Sequence, residues 1–366
     1  MGQKHFFKLA KIRNSMIDDE IREIEEEIKK TPYNKATQKH IGMLKAKLAK
    51  LKGESQKKSG GAGLGYGIKK QGDATVLLVG FPSVGKSTLL NKITAAESKV
   101  GEYEFTTLTV IPGMLEHKGA KIQVLDVPGL IEGGAKGKGR GKAVLSVIRN
   151  ADLILILVDA NKPKHLDTIK EELFQAGIRL DKTPPDVKVV KKSTGGLSIS
   201  STVRQDLDKE TIRSVLNELG IYNGDVLFRE KMDLDGVVDA VAKNLVYVPS
   251  LVVINKIDTV RKSSLKGIGI SALKETNLSE LKEAIWRKLK LVRIYLKKIG
   301  KEPDMKEPLI MKGGVTVGKV CEKIHRELVK DFKHARIWGP SARFPGQRVG
   351  LDKVLQDEDI VELHKD

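Results

Sequence analysis

A chain of 366 residues exceeds one ordinary domain, and at 40% hydrophobic and 31% charged it is neither a disordered nor a fibrous protein. Lys and Arg outnumber Asp and Glu by 66 to 47, and the resulting +19 charge favours a polyanionic partner (nucleic acid or a ribosome) unless it serves only solubility. The single cysteine, Cys321, excludes an internal disulfide, and no apolar run approaches the ~20 residues of a membrane span, so a cytoplasmic protein is expected.

The first 70 residues read as helical. Ile17, Ile21, Ile24 and Ile28 form one apolar stripe on an acidic helix that Thr31-Pro32 stops. Ile41, Leu44, Leu48 and Leu51 form a second stripe on a basic helix, expected to end at Gly53, and the two helices can pair as a hairpin. Residues 1–70 hold 17 basic against 8 acidic residues, so this region is either an arm for phosphates or a hairpin docked on its own protein. Gly60–Gly67 follows as a glycine-rich linker; it precedes a strand, the wrong order for a dinucleotide fingerprint.

From Ala74 to about Leu289, strand-like runs alternate with helical ones, which predicts an α/β domain with a mostly parallel sheet. The strands are Ala74–Val79, Lys121–Leu125, Leu153–Val158, Leu251–Ile254 and Gly267–Ile270; the helices include Ser87–Ile93, Leu166–Gln175 and Ser279–Leu289. Between Ala176 and Leu251 the connection is far too long for a loop, which predicts a small inserted α/β domain. After Val292 come short strands at Leu309–Met311, Val315–Val317, Arg336–Ile337, Gln347–Gly350 and Ile360–Leu363, with a helix over Gly318–Val329, a β-grasp-like pattern. The expected domains are therefore 1–70, 71–177 with 247–290, the insertion 178–246, and 291–366.

Gly80-Phe81-Pro82-Ser83-Val84-Gly85-Lys86-Ser87, followed by Thr88, fits the phosphate-binding P-loop between a strand and a helix. Backbone N–H groups and the helix N-terminus would cradle the phosphates, Lys86 would reach the β- and γ-phosphates, and Ser87 would ligate Mg²⁺. Asn255-Lys256-Ile257-Asp258 lies at a strand end. The Asp258 carboxylate can accept both N1–H and N2–H₂ of guanine, donors that adenine lacks, which selects GTP and GDP. Asn255 would brace the loop, and the Lys256 stem would lie over the base. Ser271-Ala272 would donate backbone N–H to guanine O6. Asp126-Val127-Pro128-Gly129 follows a strand, so that Asp126 would hold Mg²⁺ through water and the Gly129 N–H would sense the γ-phosphate. Phe105-Thr106-Thr107 stands where the first switch belongs, with one threonine on Mg²⁺ and γ-phosphate. This motif order is that of a GTPase.

The stretches Phe81–Leu90, Tyr103–Leu108 and Asp126–Gly133 resemble the Obg–HflX GTPases, and Gly60–Gly67 with Gly137–Gly141 makes the chain most similar to the DRG (developmentally regulated GTP-binding) family. The resemblance spans essentially the whole chain. It implies an N-terminal helix-turn-helix-like domain, a P-loop GTPase domain, an inserted ribosomal-protein-like α/β domain and a C-terminal β-grasp TGS domain. It also implies ribosome or rRNA association, a role in translation, and a dedicated partner protein. By the Obg-type pattern Thr107 is the magnesium threonine, so catalysis would rest on Lys86, Thr107 and Gly129.

Where Ras-type switches place a water-orienting glutamine, this chain has Leu130, so slow intrinsic hydrolysis is expected, helped by a partner or a cation. K⁺ is one candidate beside the phosphates, with Ser83 where some relatives carry Asn. Arg140 is a second candidate helper, against the simpler reading of a solvated loop charge. Arg336, Arg343 and Arg348, with Trp338 and Phe344, are candidate RNA contacts. His325, His334 and Cys321 lack a fourth ligand, so zinc is not expected. Two other readings remain: a basic RNA- or ribosome-binding adaptor whose nucleotide is structural or regulatory, and a small-molecule kinase, which Asn255–Asp258 disfavours.

Overall fold

An isoleucine-striped helix, α1 (residues 19–30), and a second helix, α2 (Gln38–Lys57), open the computed structural model, which describes residues 16–17, 19–57, 70–94, 111–127, 147–242, 245–260 and 265–365. Next come β1 (Ala74–Val79), α3 (Lys86–Ile93), β2 (Ile111–His117), β3 (Ala120–Asp126), β4 (Leu153–Asp159) and α4 (His165–Gln175). The middle of the chain forms β5 (Ile178–Leu180), β6 (Val187–Lys191), β7 (Leu197–Ser201), α5 (Lys209–Glu218), β8 (Gly224–Phe228), α6 (Leu234–Val241) and β9 (Val246–Val248). The last third holds β10 (Ser250–Asn255), β11 (Ile268–Gly269), α7 (Leu278–Leu289), β12 (Leu291–Lys297) and β13 (Leu309–Lys312). It closes with α8 (Val317–Ile324), β14 (Phe332–Trp338), β15 (Gln347–Val349) and β16 (Asp359–Lys365). The chain divides into two units, Met1–Gly65 with Gly177–Tyr247, and Tyr66–Ala176 with Val248–Asp366.

In the first unit β6, β8 and β7 form a three-stranded sheet in that order, antiparallel at β6–β8 and parallel at β7–β8. Helices α5 and α6 share a core with α2, where Ile41 and Ala46 meet Ile212, Val215, Leu216, Leu234 and Val237. A Cβ at Gly42 would come within 2.8 Å of Val215 Cγ2, so glycine lets these helices approach closely. The basic face of α2 is largely spoken for: Lys39 pairs with Glu210, Lys45 with Asp235, Lys47 with Glu20 and Lys52 with Glu25. This is the docked hairpin, not a row of free lysines. The α2 helix runs past Gly53 to Lys57, because that glycine keeps helical geometry and does not take the left-handed conformation of a helix-ending glycine.

The second unit carries a six-stranded sheet in the order β11-β10-β4-β1-β3-β2, parallel except for β2 at the edge. β1 and β4 are buried at every position, which their unbroken apolar runs require of strands covered on both faces. From β1 the chain builds outward to β3 and later to β4 on the other side. The crevice at this reversal, outside the carboxyl ends of the strands, is where such sheets bind ligands. β2 goes unrecognised in the sequence because Pro112-Gly113 sits inside it; as an edge strand it tolerates proline.

A five-stranded sheet, β13-β12-β16-β14-β15, completes this unit with first and last strands parallel and α8 packed through Val317, Val320 and Cys321. This is a β-grasp. The expected strand Val315–Val317 is reduced to an isolated bridge between Thr316 and Val354 followed by a helix start, because the Thr316 hydroxyl caps α8 by accepting from Lys319 N. The helix expected over Gly318–Val329 breaks at His325, whose backbone is extended (φ −162°), and a 3₁₀ turn follows over Arg326–Val329. β12 is reached from α7 through one left-handed residue, Lys290 (φ 53°).

Candidate functional site

Leaving β1, the chain turns through Gly80–Gly85 into α3. Ser83 (φ 59°) and Gly85 (φ 98°) are left-handed, and such alternation with right-handed residues turns successive N–H groups inward as an anion-binding concavity. Glycine is obligatory at two places. A Cβ on Gly80 would lie 2.5 Å from the Leu157 carbonyl oxygen, and one on Gly85 would lie 2.4 Å from Asn255 Nδ2. Lys86 Nζ donates to the carbonyls of Gly80 (2.9 Å) and Phe81 (3.1 Å), which hold the ammonium over the loop. The Phe81 ring packs at 4.2 Å from that of His165, tying the loop to the start of α4. Pro82 and Thr88 are exposed and Val84 is buried. Gly85→Ala combines left-handed strain of ~1–2 kcal/mol with displacement of Asn255, so GDP affinity is expected to fall at least about tenfold by calorimetry.

Ser87, at the start of α3, donates its hydroxyl hydrogen to Asp126 Oδ2 over 3.0 Å, joining the start of α3 to the end of β3. Asp126 is 1% exposed, and its other oxygen, Oδ1, is buried and has no hydrogen-bond partner among the described residues. Burial pushes this carboxyl above its ordinary value, against the opposing pull of Ser87 and Lys86. An orphaned, desolvated carboxylate oxygen beside a hydroxyl is a donor set of hard oxygens, and it fits Mg²⁺. Val127, next in the motif, is buried.

The guanine-reading segment is braced from two directions. Asn255, 3% exposed, donates from Nδ2 to the Val84 carbonyl (2.9 Å) and accepts at Oδ1 from Ala272 N (2.9 Å). One amide thus ties the phosphate loop to the Ser271-Ala272 turn. Asp258 is exposed, and its carboxyl is held below the ordinary value chiefly by the Ser271 hydroxyl, with Lys274 Nζ adding at 3.5 Å. Lys256 is left-handed (φ 64°), and its ammonium donates to the Ser83 carbonyl (2.9 Å) and to Asp159 Oδ2 (2.7 Å).

Asp159 is a site residue that sequence reasoning missed. It ends β4, is 9% exposed, and accepts at Oδ1 from Asn161 N (2.9 Å) and Asn161 Nδ2 (3.0 Å). Asn161 Nδ2 also donates to Thr259 Oγ1 (2.8 Å), closing the network around the Asn255–Asp258 loop. The available signal was an acid at the carboxyl end of a central parallel strand, where ligand crevices form. Burial pushes the Asp159 carboxyl up, but Lys256 and the Asn161 donors outweigh it and hold the group below its ordinary value. A depressed native value means that its stabilising contribution is complete above the ordinary carboxylate range and is lost as pH falls through that native value. Asp159→Asn is expected to speed GDP dissociation about tenfold at neutral pH, the scale of a charge-assisted hydrogen bond. In stopped-flow measurements the wild-type advantage should fade at acid pH.

The predicted residues Phe105, Thr106, Thr107, Pro128 and Gly129, and with them Leu130, Arg140 and Gly60–Gly67, lie outside the described residues. Every other predicted nucleotide- or magnesium-site residue stands in the loop and helix start after β1, at the carboxyl ends of β3 and β10, or in the turn after β11, whereas the candidate RNA contacts Arg336, Trp338, Arg343, Phe344 and Arg348 lie apart from them, on β14, β15 and the loop between.

Family models match in three consecutive segments: a 50S ribosome-binding GTPase over residues 75–192, the C-terminal region of that domain over 194–291, and a TGS domain over 292–365. The chain is 56% identical over 361 residues to an uncharacterized GTP-binding protein of Methanocaldococcus jannaschii, covering 95% of this chain and 92% of that one. It is 46% identical to developmentally-regulated GTP-binding protein 1 of Xenopus laevis (94% and 98% covered) and 44% identical to ribosome-interacting GTPase 1 of Saccharomyces cerevisiae (95% and 98% covered). With relatives of this identity along nearly its whole length, and the phosphate and guanine loops braced as described, the chain is a GTP-binding protein of the developmentally regulated GTP-binding (DRG) family of P-loop GTPases.

Proposed function

We propose that this protein hydrolyses GTP to GDP and phosphate as a molecular switch acting on the ribosome in the cytoplasm. The observation that carries the reading is the Asn255 bridge, which makes phosphate and guanine recognition one mechanical unit. Ser87 and Asp126 would hold Mg²⁺, which would supply positive charge to the nucleotide phosphates. Lys86 leaves the Gly80 and Phe81 carbonyls for phosphate oxygens, and Asp258 pairs with the guanine edge. Thr107 and Gly129 report the γ-phosphate through their N–H groups, so that its loss releases both switch loops. Leu130 can neither donate to nor accept from water, so turnover depends on help from K⁺ or a partner. In this reading residues 71–177 with 247–290 form the GTPase domain, with 1–70 and 178–246 as accessory segments and 291–366 as the TGS domain.

Two names support the ribosome as the site of action: that of the yeast relative and that of the family model over residues 75–192. The +19 charge adds the attraction to rRNA that either would need. Co-sedimentation with ribosomes in GDP, in a non-hydrolysable GTP analogue and without nucleotide, across several salt concentrations, tests the switch. Binding should differ between nucleotide states. Equal binding in all three would instead favour a basic adaptor whose nucleotide is structural.

A further inference from the structure

The β2–β3 hairpin of the second unit has one end at the phosphate site and the other against the β-grasp domain. At the site end Asp126, paired across the hairpin with Ile111, accepts from Ser87. The tip, Lys118-Gly119, turns through two left-handed residues (φ 51° and 80°) at the opposite end of the strands, about 20 Å away at the rise of a β-strand. β3 is held between β1 and β2, but β2 pairs on one side only, so the hairpin can tilt without breaking a ladder on its outer flank.

The tip is clamped by groups from three further elements. His117 Nε2 lies 3.2 Å and Lys118 Nζ 2.9 Å from the same carboxylate, that of Glu283 on α7. Three residues on along that helix, the Trp286 indole (5% exposed) meets His117 edge-on at 6.3 Å and Lys118 at 5.7 Å. Arg293 of β12 stands 5.9 Å from the same ring, so two cations from different domains share one indole. A Cβ on Gly119 would come within 2.7 Å of Pro308 Cγ, just before β13. Arg293 carries the path into the β-grasp sheet: Nε donates to Asp357 Oδ1 at 3.1 Å, and Nη2 to Asp357 Oδ2 at 2.7 Å and Glu358 Oε1 at 2.6 Å, at the entry to β16. Leu115 of β2, Leu289 of α7, Leu291 of β12 and Ile310 of β13 belong to one core. The β-grasp domain is therefore joined to the GTPase sheet by packing, and not only through the chain at Lys290. Cohesion alone needs just the apolar part of this joint. Bidentate and cation–ring contacts depend on angle as well as distance, so a tilt of the hairpin changes their energy.

We propose that the β2–β3 hairpin couples the nucleotide to the β-grasp domain, with Glu283 and Trp286 as the joint through which its tip reports the state of the phosphate site. The inference rests on the switch reading, in which the γ-phosphate is sensed at Gly129, three residues beyond the end of β3. By linkage the coupling runs both ways, so a change at the joint alters the relative affinity for triphosphate and diphosphate. Trp338→Phe leaves Trp286 as the single tryptophan of the full chain. Its emission is read with GDP and with a non-hydrolysable GTP analogue, each at saturation set by calorimetry, and the two spectra should differ. Glu283→Gln, which keeps the size of the side chain, should change the ratio of analogue to GDP affinity about two- to thirtyfold. A residue that serves cohesion alone would weaken both nucleotides equally or neither. Identical Trp286 spectra in the two complexes, or an unchanged ratio in Glu283→Gln, overturns the coupling. The switch reading fails separately, through ribosome binding that ignores the nucleotide.

Discussion

Replacing Asp258 by asparagine is expected to lower GDP affinity about 100- to 1000-fold while the protein stays folded. The carboxylate offers two acceptor oxygens to the adjacent N1–H and N2–H₂ donors of guanine, and asparagine puts an amide N–H against one of them. Each charge-assisted bond contributes ~1.5–3 kcal/mol, and a donor facing a donor adds the cost of an unmet polar group. The Asp258 side chain is 20% exposed but contacts only Ser271 and Lys274, and asparagine is nearly isosteric, so stability should change by no more than about 1 kcal/mol. The same substitution supplies a donor where xanthine carries an oxygen, so xanthosine diphosphate should bind the variant better than the wild type. Calorimetry with both nucleotides on both proteins checks the pair of shifts; a variant weakened equally toward both would remove Asp258 from base recognition.

Asn255→Ala should act on stability and binding together. The amide is almost fully buried and meets two backbone groups from different loops, the Val84 carbonyl and the Ala272 N–H. Its removal leaves both without a partner, at ~1–3 kcal/mol each, so unfolding free energy should drop by about 2–4 kcal/mol in urea titration. The P-loop and the Ser271-Ala272 turn then lose their common anchor, and GDP affinity should fall at least about 100-fold. Asn255→Asp separates the two ends of the bridge. It keeps an acceptor for Ala272 N but sets a carboxylate oxygen against the Val84 carbonyl, so it should be no better than alanine for binding.

The parts of this site that are legible in the sequence are those written locally. An apolar hexamer, a glycine-framed loop and a helix start stand side by side at Ala74–Ile93, and the same short-range logic places Asn255–Asp258 at the end of β10. Asp159 carries no such local mark, since its partner Lys256 is 97 residues away and only the sheet brings them together. For Lys256 the sequence suggested a stem over the base; the fold adds that its ammonium is anchored at both Ser83 and Asp159. The basic face of α2 was visible as charge, but the acids that meet it come from α1, α5 and α6, as much as 190 residues away. β2 and β12 were lost for a different reason. In β2 the Pro112-Gly113 pair interrupts the apolar pattern, although Lys118-Gly119 marks the hairpin to β3, and β12 is entered through the single residue Lys290 with no turn signal to separate it from α7.

The most direct test of GTP hydrolysis is phosphate release from GTP by the purified chain with Mg²⁺, measured in KCl and in NaCl, with and without ribosomes. Slow turnover is expected from the chain alone, rising when K⁺ or ribosomes are added and abolished by Lys86→Ala. Turnover that stays at zero in every condition while GTP remains bound would contradict the switch and leave the nucleotide a structural ligand.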